Sequence, residues 1–166
     1  MTKSILMFYY RYQVRAIDIC DPEHPFFISE LGKVTYLLKR GEEVREVAYT
    51  DKNYRLLLYP LEYLTRECII NGKSMIPIKY IYSFITRELN ILDDGGNYGW
   101  FLKNLIRYLE NRVICRFSKD MLNWIYYILF SFHFDIYGLI KNEEAYDVFL
   151  LEQNPYKDDR ILLPDE

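Results

Sequence analysis

Residues 68–89, CIINGKSMIPIKYIYSFITREL, decide the fold, because the hydrophobic period changes inside them. Before Pro77, the short runs Cys68–Ile70 and Lys73–Ile76 flank Asn71-Gly72. That dipeptide closes a two-residue hairpin well, since both turn positions need φ > 0. After Pro77, Ile78, Ile81, Tyr82, Ile85 and Leu89 recur at helical spacing, and proline suits the first position of a helix, where an N–H has no partner. The expected class is therefore α+β: an N-terminal antiparallel sheet of hairpins packed against a C-terminal bundle of about four helices, one central and buried.

Working back toward the N-terminus, Ile5 to Val14 reads as a strand, because Arg11, Gln13 and Arg15 alternate with Tyr10, Tyr12 and Val14. The segment DPEHP at 21–25 reads as a loop, since two prolines three apart suit neither helix nor central strand. Residues 29–41 carry two patterns, a helix capped by Ser29 and ended by Gly41, or one arm of a hairpin across residues 40–43. Val34, Thr35 and Tyr36 favour the hairpin. Tyr54–Tyr59 reads as another strand, stopped by Pro60.

Working forward, a second helix spans about Tyr98 to Cys115, with Leu102, Leu105, Ile106, Leu109 and Val113 on one stripe. The glycines of DDGGNYG separate it from the first. A third helix follows the natural N-cap Ser118, runs to about Ile140 and is apolar on every side. That places it in a core; Asn123, His133 and Asp135 within it argue against hydrocarbon. A fourth helix is expected over Glu143 to Gln153. Residues 1–153 are expected to form one domain and residues 154–166 a C-terminal tail.

Composition narrows the functions. Half the residues are apolar (51%), enough for a sizeable core, and a net charge of −3 argues against wholesale nucleic-acid binding. Cys20, Cys68 and Cys115 are widely spaced and odd in number, as expected of thiols in a reducing cytoplasm. No signal peptide or membrane span is expected. The 17 tyrosines suit both half-buried positions and contact surfaces.

No motif fixes a chemistry. His133 and Asp135 stand two apart and do not face each other on a helix. A core histidine bonded to a neighbour such as Tyr137 is the plainer reading. Cys20, Asp21, Glu23 and His24 gather metal-ligand types, but no second ligand pair accompanies them, so neither metal nor cofactor is expected. DDGGNYG lacks the lysine of a phosphate loop. Catalysis is not expected.

Charge gives more contrast. Lys103, Arg107 and Arg112 line the outer face of the second helix, an alternative site for an anion or nucleic acid. Toward the C-terminus, Glu143, Glu144, Asp147 and Glu152 stand beside Tyr146, Phe149 and Tyr156. Carboxylates there would steer a basic protein and the aromatic rings would slow its release. The expected function is a non-enzymatic protein-binding inhibitor or adaptor. Immunity proteins, antitoxins and anti-defence inhibitors share that general character, as an analogy of type that no motif here carries. The alternative is a small enzyme or ligand-binding domain with a pocket between sheet and helices, using His24 or His133.

Overall fold

The computed structural model describes residues 2–70, 72–91, 97–111 and 117–157. It is a mixed α+β fold. The main sheet has six strands: β1 (Arg15–Asp18), β2 (Asp21–Leu31), β3 (Thr35–Arg40), β4 (Glu43–Ala48), β5 (Tyr54–Leu58) and β8 (Ala145–Asp147), in the order β4-β3-β2-β1-β5-β8. Every pairing in it is antiparallel except the last, where β8 lies parallel to β5 with Leu56 opposite Ala145 and Leu58 opposite Asp147. A separate two-stranded hairpin joins β6 (Cys68–Ile70) and β7 (Lys73–Met75). The helices are α1 (Lys3–Tyr10), α2 (Pro77–Glu88), α3 (Asn97–Asn111) and α4 (Lys119–Ser131).

The period change at Pro77 is where strand gives way to helix. Ile70 stands opposite Lys73, and Gly72 between them has φ +66°, while Asn71 lies outside the described residues. The second hairpin also forms: Arg40 stands opposite Glu43, with Gly41 at φ +59°. In α2, Ile78, Ile81 and Ile85 are enclosed, and in α4 so are Ile125 and Ile128. Ser118 caps α4 by accepting from the Met121 N–H at 3.2 Å. One cluster of buried side chains reaches from Leu6 to Tyr156.

Five expectations fail. Residues 3–10 are helical, because Leu6 and Tyr9, one turn apart, are the side chains that go inward. The alternation that suggested a strand begins only at the end of that helix. DPEHP belongs to β2, but Pro22 to Pro25 bulge out opposite the single residue Ile17, so neither proline must supply a ladder N–H.

Helix α4 stops at Ser131, well short of Ile140. His133 takes the left-handed conformation (φ +58°), its N–H donates to the Phe130 carbonyl, and the Phe134 N–H donates to Leu129. These are the two bonds of a Schellman stop, made here around a histidine where glycine is usual. The same pair of bonds surrounds Asn90 after α2 (φ +49°) and Glu143 before β8 (φ +59°).

Residues 143–153 are not a helix either. After the stop at Glu143 the chain enters β8, then a 3-10 turn over Val148–Leu150, because the open edge of β5 takes Ala145–Asp147 as a strand. The expected tail also begins inside the fold. Tyr156 is 1% exposed, donates to the Leu57 carbonyl and accepts from the Arg15 N–H, each at 2.8 Å.

Candidate functional site

Strand β8 carries the acidic and aromatic residues of the C-terminal region, and its parallel seat beside β5 sorts them. Glu143 and Glu144 lie at its start, next to Arg55. Asp147 ends it, next to Leu58 and the 3-10 turn Leu61–Thr65.

At the far end a small apolar surface forms. Phe149, 39% exposed, stacks on Tyr63 with ring centroids 3.9 Å apart, and Leu150 beside it is 66% exposed. Asp147 holds this turn by accepting the Phe149 N–H at 2.8 Å. Burial pushes its carboxyl upward, the Phe149 bond opposes that, and the nearby charge of Glu62 adds to the rise. The Glu152 N–H donates to the Glu23 carboxylate at 3.3 Å. Asp147 and Glu62 thus bring negative charge to this turn, Glu152 follows it in the chain, and the Arg66 guanidinium stacks 4.9 Å over the Tyr63 ring.

The other expected residues divide. Glu143 is exposed, and Glu144 and Tyr146 are half-buried. Tyr156 cannot touch a partner, because its ring is enclosed and its hydroxyl is spent on two strands of the sheet. The four-residue helical spacing that linked Glu143 to Asp147 does not exist; a strand joins them. Lys103 and Arg107 are exposed on α3, while Arg112 and the glycines of DDGGNYG at 95–96 lie outside the described residues, as does Cys115. Tyr63, Glu62 and Glu23 were not expected in the site. Nothing local in the sequence marks them: Tyr63 and Glu62 follow β5, the strand beside β8, and Glu23 lies on β2, where its carboxylate accepts the Glu152 N–H.

His133 and Asp135 are structural. The His133 ring is enclosed, its Nε2 lies 2.6 Å from the Tyr12 carbonyl, and burial pulls its pKa down to about 4. Its bonding partner is therefore that carbonyl rather than Tyr137. The Asp135 carboxylate accepts the N–H groups of Leu139 and Ile140, both at 2.8 Å, and burial still raises its pKa despite them. His24 sits instead on the surface, 2.6 Å from Asp21, in a lattice of Asp18, Asp21, Arg40, Glu43 and Arg45 laid over the buried Phe26 ring. The carboxylates of that lattice are taken up by the two arginines. Hydrogen bonds from His24 and then Arg40 hold the Asp21 carboxyl below its usual range. Among the described residues, no three His, Cys, Asp or Glu side chains converge as metal ligands would. No helix among them is long and apolar enough to cross a membrane.

No family model matches the chain, and no curated protein or solved structure matches it.

Proposed function

We propose that this protein is a non-enzymatic binding protein of the cytoplasm, an inhibitor or adaptor that occludes a basic protein partner through the surface at the end of β8. The supporting observation is the exposed Phe149–Leu150 pair, backed by Tyr63, with the carboxylates of Asp147 and Glu62 at the same turn and Glu152 two residues on. Aromatic anchors with a charged rim are the usual economy of a protein interface: rings supply the buried area, and carboxylates speed encounter and reject acidic surfaces. Immunity proteins and antitoxins are the type of molecule this reading places it with. The histidine-based alternative is weaker, because the His133 ring is enclosed in the core and its Nε2 is held by the Tyr12 carbonyl.

A photo-crosslinking residue at position 150 tests this, with the same residue at position 34 as control, since Val34 is also exposed (74%) but lies remote in the sheet order. In cells expressing the protein at native level, position 150 should give one dominant adduct with a basic protein and position 34 should not. Equal adducts from both positions, or an acidic adduct at 150, would contradict the reading.

A further inference from the structure

At the other end of β8, the segment between β4 and β5 and the turn before β8 enclose a cavity of about 370 Å³. Its lining carries both signs of charge: Lys52 and Arg55 on one side of the account, Asp51, Glu143 and Glu144 on the other. Volumes of roughly 300–1,000 Å³ are typical of small-ligand sites.

The two cations are underused. Arg55 is only 24% exposed, yet its ion pair to Glu143 is long, Nη2 to Oε2 at 4.0 Å. Its Nε is buried with no hydrogen-bond partner among the described residues. Well-made guanidinium–carboxylate pairs sit at about 2.7–2.9 Å and use two parallel N–H groups. A buried donor left unmade is destabilising, so it calls for a cause. Lys52 is exposed and makes no ion pair or hydrogen bond with the described residues.

Glu143 is poorly placed to satisfy Arg55. Its side chain is 83% exposed, where an ion pair is worth little. It is also held in the left-handed region by the Schellman stop, which fixes its backbone and aims its side chain independently of the arginine. An incoming carboxylate would therefore displace almost nothing. A simple anion would still meet three carboxylates across the cavity, and a simple cation would leave Arg55 as it is. A ligand with a negative and a positive end satisfies both sides.

We propose that this cavity binds a small zwitterion of the amino-acid or short-peptide class. The ligand carboxylate takes the Arg55 guanidinium, with Lys52 beside it, and the ligand ammonium faces Glu143, Glu144 and Asp51. This goes beyond the docking surface and does not depend on it, because the two lie at opposite ends of β8.

An NMR titration of the ¹⁵N-labelled protein with trialanine tests it. Saturable shifts should appear at the amides of residues 51–55 and 142–144. Trialanine amide and N-acetyl-trialanine should each bind about tenfold more weakly or worse, the equivalent of losing one good charged contact. Arg55→Gln should abolish binding, and Lys52→Gln, at an exposed position that the fold does not use, should weaken it. Three results would overturn the proposal: no saturable shift at millimolar peptide, binding of either blocked peptide as tight as that of trialanine, or unchanged binding by Lys52→Gln together with a folded Arg55→Gln. Shifts confined to Phe149 and Leu150 would also overturn it, while leaving the docking surface intact.

Discussion

Two aromatic groups in this molecule use the same residue types to opposite ends. Inside, Tyr9, Tyr59 and Tyr156 are almost fully enclosed, and each hydroxyl reaches a partner distant in sequence. Tyr9 donates to the Phe134 carbonyl at 2.9 Å and accepts from the Ile136 N–H at 3.1 Å, Tyr59 accepts from the Asn154 amide at 2.7 Å, and Tyr156 bridges β1 and β5. Outside, Tyr63 and Phe149 stack in view of solvent with carboxylates around them. A buried hydroxyl must be bonded, so the inner tyrosines are pins for the irregular segment 132–157. The outer rings have no comparable duty to the backbone. These tyrosines therefore have a structural duty, and the outer group is the one proposed to meet a partner.

The comparison breaks most visibly by truncation. Tyr156→Ala should cost about 3–5 kcal/mol, through the cavity it leaves and two backbone groups stripped of their partner. Phe149→Ala should cost only about 1 kcal/mol, the worth of an exposed ring contact. Urea denaturation of the two variants reads both. Similar losses would mean that the outer group is as structural as the inner one.

Acid should expose the inner group next. His133 has its pKa lowered from an ordinary 6.5 to about 4, so the folded protein keeps it neutral where the unfolded chain takes up a proton. Stability tied to His133 is therefore complete above about pH 6.5 and lost as pH falls toward 4, by about 3 kcal/mol. Asp135 works the other way: its raised pKa means that folding gains as pH falls through its range. The wild-type protein compared with His133→Asn isolates the histidine. Between pH 7 and pH 4 the wild type should lose about 3 kcal/mol more than the variant. Parallel pH profiles would show that the histidine is not sealed.

Much of the architecture was readable from residues 68–89 outward, because hairpins and amphipathic helices are local: Asn71-Gly72, Pro77 and Ser118 each act within a few residues. The misreadings share another cause. Helix α4 looked continuous to Ile140 because its stop uses His133 in place of the glycine that would have announced it. Residues 145–147 looked helical because their strand partner, β5, lies ninety residues away and runs parallel, which leaves no turn signal between them. The site inherits this limit. Glu152 and Phe149 were visible as acid beside aromatic, but Tyr63 and Glu62 join them only because β8 lies beside β5. Tyr156 was misjudged because a ring in a terminal segment reads as exposed until its two hydroxyl partners are known.

The outer group, with its carboxylates, is proposed to meet a basic partner. The most direct measurement is the association rate of the protein crosslinked at position 150, for wild type, Glu62→Lys/Glu152→Lys and Lys103→Glu/Arg107→Glu, at low and at high salt. The acidic-face variant should associate about tenfold more slowly at low salt, with the gap closing at high salt, because steering charges act on encounter and are screened. The α3 variant should associate at the wild-type rate or slightly faster. If the α3 variant loses binding while the acidic-face variant keeps the wild-type rate at every salt concentration, the partner is anionic and the account of β8 is wrong.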